Sequence, residues 1–110
     1  MKIIYNNIIP FKGYVAINIF GIIFARKEYK PISKITINHE RIHTEQMKEL
    51  GFIFFYIWYG IEYLIKLIKY KNHNKAYSLL SFELEAYIHD HNKDYLSKRK
   101  HYNWFKFYFD

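Results

Sequence analysis

The chain has no cysteine, two prolines and four glycines in 110 residues. Without cysteine there are no disulfides, no thiolate nucleophile and no cysteine-type zinc site, so any metal must be held by histidine and carboxylate. So little proline and glycine, beside 51% hydrophobic and 22% aromatic residues, argues against disorder. A long uninterrupted apolar run is also missing. From Phe52 to Ile61 there are ten uncharged residues before Glu62, and fourteen up to Lys66 if that glutamate is tolerated. A spanning helix needs roughly 20, so this stretch is expected to back the core or to lie at a membrane interface rather than to cross a bilayer. The opening MKIIYNNIIPF is interrupted by Asn6, Asn7 and Pro10 and has no small-residue cleavage site, so it does not read as a secretion signal. The expectation is a cytoplasmic protein, with peripheral membrane contact kept open.

Acidic residues are outnumbered ten to seventeen, giving a net charge of +7 that would suit nucleic acid, a membrane surface or acidic partners. The cations are spread out, densest in SKRKHYNWFKFYF near the end. Its aromatics are expected to pack back on the domain while the lysines stay solvated, and no nucleic-acid partner is expected. Nothing in the pattern indicates an oligomeric state.

The length suits one domain, 1–110. Tyr14 to Arg26, YVAINIFGIIFAR, is rich in β-branched and aromatic residues around Gly21 and reads as two short strands or one bulged strand, with Ile3 to Ile9 as a further candidate. Ser33 or Thr36 can cap a helix running to about Leu50, where Gly51 is a terminator or kink. A second helix covers FIFFYIWYGIEYLIKLIKY, with Glu62, Lys66 and Lys69 on one side and Glu62 placed to pair with Lys66. After the polar hinge KNHNK, a third covers AYSLLSFELEAYIHDHNKDYL. The expected class is α+β, a small N-terminal antiparallel sheet followed by about three helices.

Within the first helix stands INHERIHTEQM. Residues i and i+4 share a helix face, so His39 and His43 can present two imidazoles to one tetrahedral ion, while Glu40 lies beside the ion and can reach a water. Zinc would acidify that water and Glu40 would take its proton. The same five-residue pattern also arises by chance on solvated helix faces. A catalytic zinc needs a third protein ligand, and the candidates downstream are Glu62, Glu83, Glu85, Asp90, His73, His89 and His91. Along a continuous helix Glu62 would lie about 28 Å from His43, and only a sharp reversal at Gly51 could bring it back. Glu83 is preferred, because a separate antiparallel helix can return it to the site.

His39-Glu40-x-x-His43 followed by Glu83-x-x-Ala86 resembles the gluzincin metallopeptidases, and the order of strands, active-site helix, backing helix and glutamate helix is similar to a minimal zincin-like scaffold. NHERIH, YIWYGIEYLIKL and SFELEAY together also look like a family of short bacterial proteins. The resemblance implies zinc as cofactor, His39, His43 and Glu83 as metal ligands, Glu40 as general base, and a peptide or protein as substrate. It departs at Tyr87, where the larger families commonly have an aspartate that orients a ligand histidine. A phenol offers a hydrogen bond but no carboxylate charge.

Around this set, Glu85 is expected to point away from Glu83, into surface or supporting ion pairs. Tyr87, His73 and His89 are the candidate donors to a developing oxyanion. Consecutive residues diverge around a helix, so His89, Asp90 and His91 cannot all face one ion, and they are expected to be exposed. Asn38 and Gln46 either bind substrate backbone or are solvated. The leading expectation is a zinc-dependent peptidase-like hydrolase. The alternatives are a metal-containing binding module without catalysis and a basic peripheral-membrane or nucleic-acid binder.

Overall fold

A computed structural model describes residues 2–107. Strands β1 (Ile3–Asn6), β2 (Ala16–Ile19) and β3 (Ile22–Arg26) precede helices α1 (Lys34–Leu50), α2 (Phe52–Tyr70), α3 (His73–Ser78), α4 (Ser81–His89) and α5 (Tyr95–Lys98), with 3₁₀ turns at Lys27–Tyr29 and Asn103–Phe107. The architecture is α+β, as expected.

β2 and β3 form a hairpin whose connection is Phe20 and Gly21, with φ of 51° and 86°. Two successive positive φ values match the twist of the flanking strands. Phenylalanine is disfavoured there, and packing offsets that cost. Its ring lies 5.9 Å from that of Phe52 and 5.4 Å from that of Tyr56, and its N–H donates to the Tyr56 hydroxyl at 2.9 Å. The sheet is mixed rather than wholly antiparallel. Its order is β1-β3-β2, and β1 runs parallel to β3 in the register Ile3 with Ile23 to Asn6 with Arg26. The nine residues between β1 and β2 carry the chain across β3, so the two outer strands never pair. β2 is therefore an edge, and Ile23 and Ala25 of the central strand are fully buried against Ile32.

Ser33 caps α1 by accepting the Thr36 N–H at 3.1 Å, satisfying one of the free donors of the first turn. At Gly51, where φ is 74°, the chain bends by 107° into α2. Met47, Phe55, Phe82 and Trp104 form the core between the helices.

The expected third helix is interrupted twice. The first break, at Leu79 and Leu80, contains no proline or glycine and is held from α2. Glu62 accepts the Ser81 N–H at 2.5 Å and the Ser81 hydroxyl at 2.8 Å, while Lys66 donates to the Leu79 carbonyl. Glu62 is thus a buried cap for the start of α4, and its pairing with Lys66, 3.5 Å away, is inside the protein. Asn72 caps α3 in the hinge by accepting the Lys75 N–H at 3.0 Å. Among the described residues no single helix is long and apolar enough to cross a membrane. Trp104 and Phe107 pack back on the domain as expected, whereas Tyr102 and Phe105 are about half exposed, and the last residues of the basic-aromatic stretch lie outside the described residues.

Candidate functional site

The inward face of α1 is polar. Asn38, His39, Glu40, His43, Thr44 and Gln46 are all buried, and an interior position requires each polar group to find a partner. Asn38 Nδ2 donates to the Asp90 carbonyl at 2.9 Å and to that of Asn92 at 3.1 Å, tying α1 to the end of α4. Gln46 Nε2 donates to the Phe82 carbonyl and to Glu85 Oε1, each at 3.0 Å. Neither side chain is solvated or free for substrate.

Those bonds decide the protonation of the histidines. Because both Gln46 N–H groups are spent on acceptors, its oxygen is the atom facing His43, and it accepts from Nδ1 at 2.7 Å. His39 Nδ1 donates to Asp90 Oδ2 at 3.1 Å. In the neutral form of each ring, this leaves Nε2 as the nitrogen that offers a lone pair. The two Nε2 atoms are 3.2 Å apart, with His39 Nε2 3.2 Å from Glu83 Oε1 and His43 Nε2 3.2 Å from Glu83 Oε2. Three acceptors converge on one point. Glu40 is next to them, with ligand atoms of His39, Glu40 and His43 within 4.8 Å of one another.

With no cation between them, these groups hold a proton instead, shared between His43 Nε2 and Glu83. Burial pulls the His43 pKa down, but the Glu83 charge and hydrogen bond, with Glu40 and Gln46, outweigh it and leave it raised to about 9. Burial opposes ionisation of Glu83, yet the His43 charge and the hydrogen bonds from both histidines hold its pKa well below the usual carboxylate range. Glu40 is raised, chiefly by burial, with Glu83 adding and the histidines opposing. The site attracts positive charge and keeps Glu83 ionised.

The carboxylate bonded to His39 comes from Asp90 and not from position 87. It is buried rather than exposed, and it stands seven residues after Glu83 and so on the same helix face. Its other oxygen is 2.7 Å from Nδ1 of the exposed His91. Tyr87 is half exposed, and its ring lies 4.4 Å from that of His39. Glu85 points away from Glu83, as expected, but is fully buried. It accepts from Tyr95 at 2.6 Å and from Arg99 at 2.5 Å, and Arg99 also forks onto Glu49 through two bonds of 2.9 Å. A chain of contacts thus runs from His43 through Gln46 and Glu85 to Arg99. His89 stacks on Tyr95 with centroids 3.8 Å apart, on the side of α4 away from Glu83.

A cleft of about 430 Å³ opens between β2, α1, α2 and α3, lined by Glu40, His43 and Glu83 together with Phe11, Tyr14, Ile17, Phe55, Tyr56, Tyr59, His73 and Tyr77. Among the described residues no side-chain hydrogen bond engages the Glu40 carboxylate, which faces this space. Tyr59 donates to Glu83 Oε2 at 2.8 Å. Burial, followed by the nearby Glu83 charge, raises Tyr59 and Tyr77 far above neutrality, so both remain phenols. Asn18, the single polar side chain that β2 turns inward, donates to the Glu40 carbonyl and to Thr44 Oγ1, each at 2.8 Å. It fastens the sheet to the turn of α1 that carries Glu40.

Asp90, Asn18, Tyr59, Tyr77 and Arg99 were not among the favoured site residues. The helical phase of Asp90 with Glu83 is the one sequence signal that could have found any of them. Comparison of the chain with protein-family models, curated proteins and solved structures gave no match.

Proposed function

We propose that the protein is a zinc-dependent hydrolase of peptide bonds, with His39, His43 and Glu83 holding the metal. The observation that carries this reading is the approach of two imidazole nitrogens, 3.2 Å apart, to the Glu83 carboxylate, His39 Nε2 lying 3.2 Å from Oε1 and His43 Nε2 3.2 Å from Oε2, each imidazole having its other nitrogen committed to a partner. Ligand atoms placed tetrahedrally at about 2.0 Å from a zinc ion are about 3.3 Å apart. Outer partners such as Asp90 and Gln46 are what metal-ligating histidines ordinarily have. When bound, zinc supplies Lewis acidity to a water and to the carbonyl of the scissile bond.

The chain's own residues do the rest. Glu40, buried and with its pKa raised, takes a proton from the water as its oxygen attacks the carbonyl carbon. It returns that proton to the amide nitrogen as the C–N bond breaks. Tyr77 and His73 line the same cleft and are the candidate donors to the oxyanion. The apolar side chains of the cleft favour a substrate with apolar residues flanking the cleaved bond. An extended peptide can add to the free edge of β2 near Ala16, because the Tyr56 hydroxyl already binds the Asn18 carbonyl at 3.2 Å.

The test is metal analysis of the purified protein alongside mass-spectrometric cleavage of a peptide mixture. Wild type should carry one zinc and cut, Glu40→Gln should keep the zinc and lose cleavage, and His43→Ala should lose both. A wild type that neither holds zinc nor takes it up on addition would sink the proposal.

A further inference from the structure

The outer face of α2 inverts the usual arrangement of a surface helix, in which charge faces water and apolar side chains face the core. Glu62 and Lys66 point into the protein and are engaged there. Ile53, Phe54, Ile57, Ile61, Leu64, Ile65 and Ile68 point out, each more than half exposed. At 3.6 residues per turn these positions sweep a sector of about 120° with no charge in it. Seven large side chains so exposed exceed the patch of a few hundred Å² that a monomer ordinarily shows.

The charge of the surroundings identifies the partner. Of the ten acidic residues, Glu40, Glu62, Glu83, Glu85 and Asp90 are buried, whereas fourteen of the seventeen lysines and arginines are exposed. The surface is therefore more basic than the net charge suggests. No acid occurs from Tyr63 to Phe82, and the apolar sector ends in the exposed Lys69, Lys71 and Lys75. A second copy packed α2 against α2 offers these lysines no complement, since the only acid of α2 is the buried Glu62. The sector is also wider than a two-helix seam, and charges do not flank it as they flank such seams.

We infer that the outer face of α2 docks on an anionic phospholipid surface, with the helix in the plane of the interface, its apolar sector in the acyl boundary and its lysines on the headgroups. The inference does not depend on the metal centre.

The experiment is co-sedimentation of the full chain with vesicles of phosphatidylglycerol mixed equally with phosphatidylcholine, and with vesicles of phosphatidylcholine alone. Wild type should pellet with the anionic vesicles, and less so as salt is raised. The exposed pair Ile61→Asp and Ile65→Asp should reduce binding on the order of tenfold or more. Neutralising Lys69→Gln and Lys71→Gln, both exposed, should reduce it about fivefold per lysine. Failure of the wild type to bind the anionic vesicles, or unchanged binding by the aspartate pair with its circular dichroism intact, overturns the inference. So does a lipid-free dimer in sedimentation equilibrium that the aspartate pair dissociates, which would assign this face to a second copy.

Discussion

Asp90 reaches His39 Nδ1 at 3.1 Å from the far end of the helix that carries Glu83, so one short helix supplies both the third acceptor and the group that orients the first histidine. Removing that carboxylate should therefore weaken the centre without touching its inner atoms. We expect Asp90→Ala to lower zinc affinity by about 10–100-fold, measured by competition with a chromophoric chelator, while Tyr87→Phe leaves it unchanged. A loss for Tyr87→Phe with none for Asp90→Ala would mean that Tyr87, not Asp90, positions His39.

Metal removal should cost stability. An ion bound by the folded chain alone adds about 2.7 kcal/mol at a free concentration of 100 times its Kd. Chelation should lower the thermal midpoint and zinc should restore it. A midpoint indifferent to both would argue against a metal at His39, His43 and Glu83.

Glu62 caps α4 and is not one of the converging acceptors. Glu62→Gln should destabilise the protein by about 1–2 kcal/mol through the start of α4. Its zinc content should equal that of wild type, and titration of both variants with urea alongside metal analysis separates the roles.

Gln46 joins His43 to Glu85, and its truncation strands partners on both sides. Gln46→Ala should cost about 2–3 kcal/mol, or roughly 10 °C or more in the midpoint for a domain of this size. A loss below about 0.5 kcal/mol would show that the bonds to Phe82 and Glu85 are not maintained.

Acid should act through Glu85. Burial would raise its pKa, but hydrogen bonds from Arg99, Tyr95 and Gln46 hold it lowered. Because the folded pKa lies below the unfolded value near 4.5, the stability this group contributes is complete above that pH and is lost as pH falls through the folded value. Thermal midpoints should therefore drop below about pH 4.5. Glu85→Gln should be less stable than wild type at pH 7 and lose less on acidification. Parallel curves for the two proteins would remove Glu85 from this account.

The metal-type cluster was legible because its signal is local. His39 and His43 are one helical turn apart, and Glu83 lies at the start of a segment whose return to α1 the helix order required. Asp90 was hidden by its neighbours, since three adjacent polar residues read as a solvated patch although Asp90 is buried and the His89 ring is stacked on Tyr95. Glu62 misled for a related reason. Its spacing from Lys66 is that of a surface pair, but α2 is turned with Glu62 and Lys66 inward, and which way a helix faces depends on what covers it. The break between α3 and α4 left no proline or glycine to read, because its cause lies nineteen residues upstream, in the Glu62 carboxylate. The parallel pairing of β1 depends on where the chain crosses β3, and residue pattern within β1 carries no record of it.

Asn18 gives the hairpin a meaning beyond the sheet. The three converging acceptors belong to α1 and α4 alone, whereas the wall beside Glu40 belongs to β2, and Asn18 is the rivet between them. Peeling the hairpin away would leave His39, His43 and Glu83 assembled while baring the base to solvent and dismantling the groove. The hairpin is thus a jaw set against an anvil of helices, and amide hydrogen exchange should find β2 opening before α1 does.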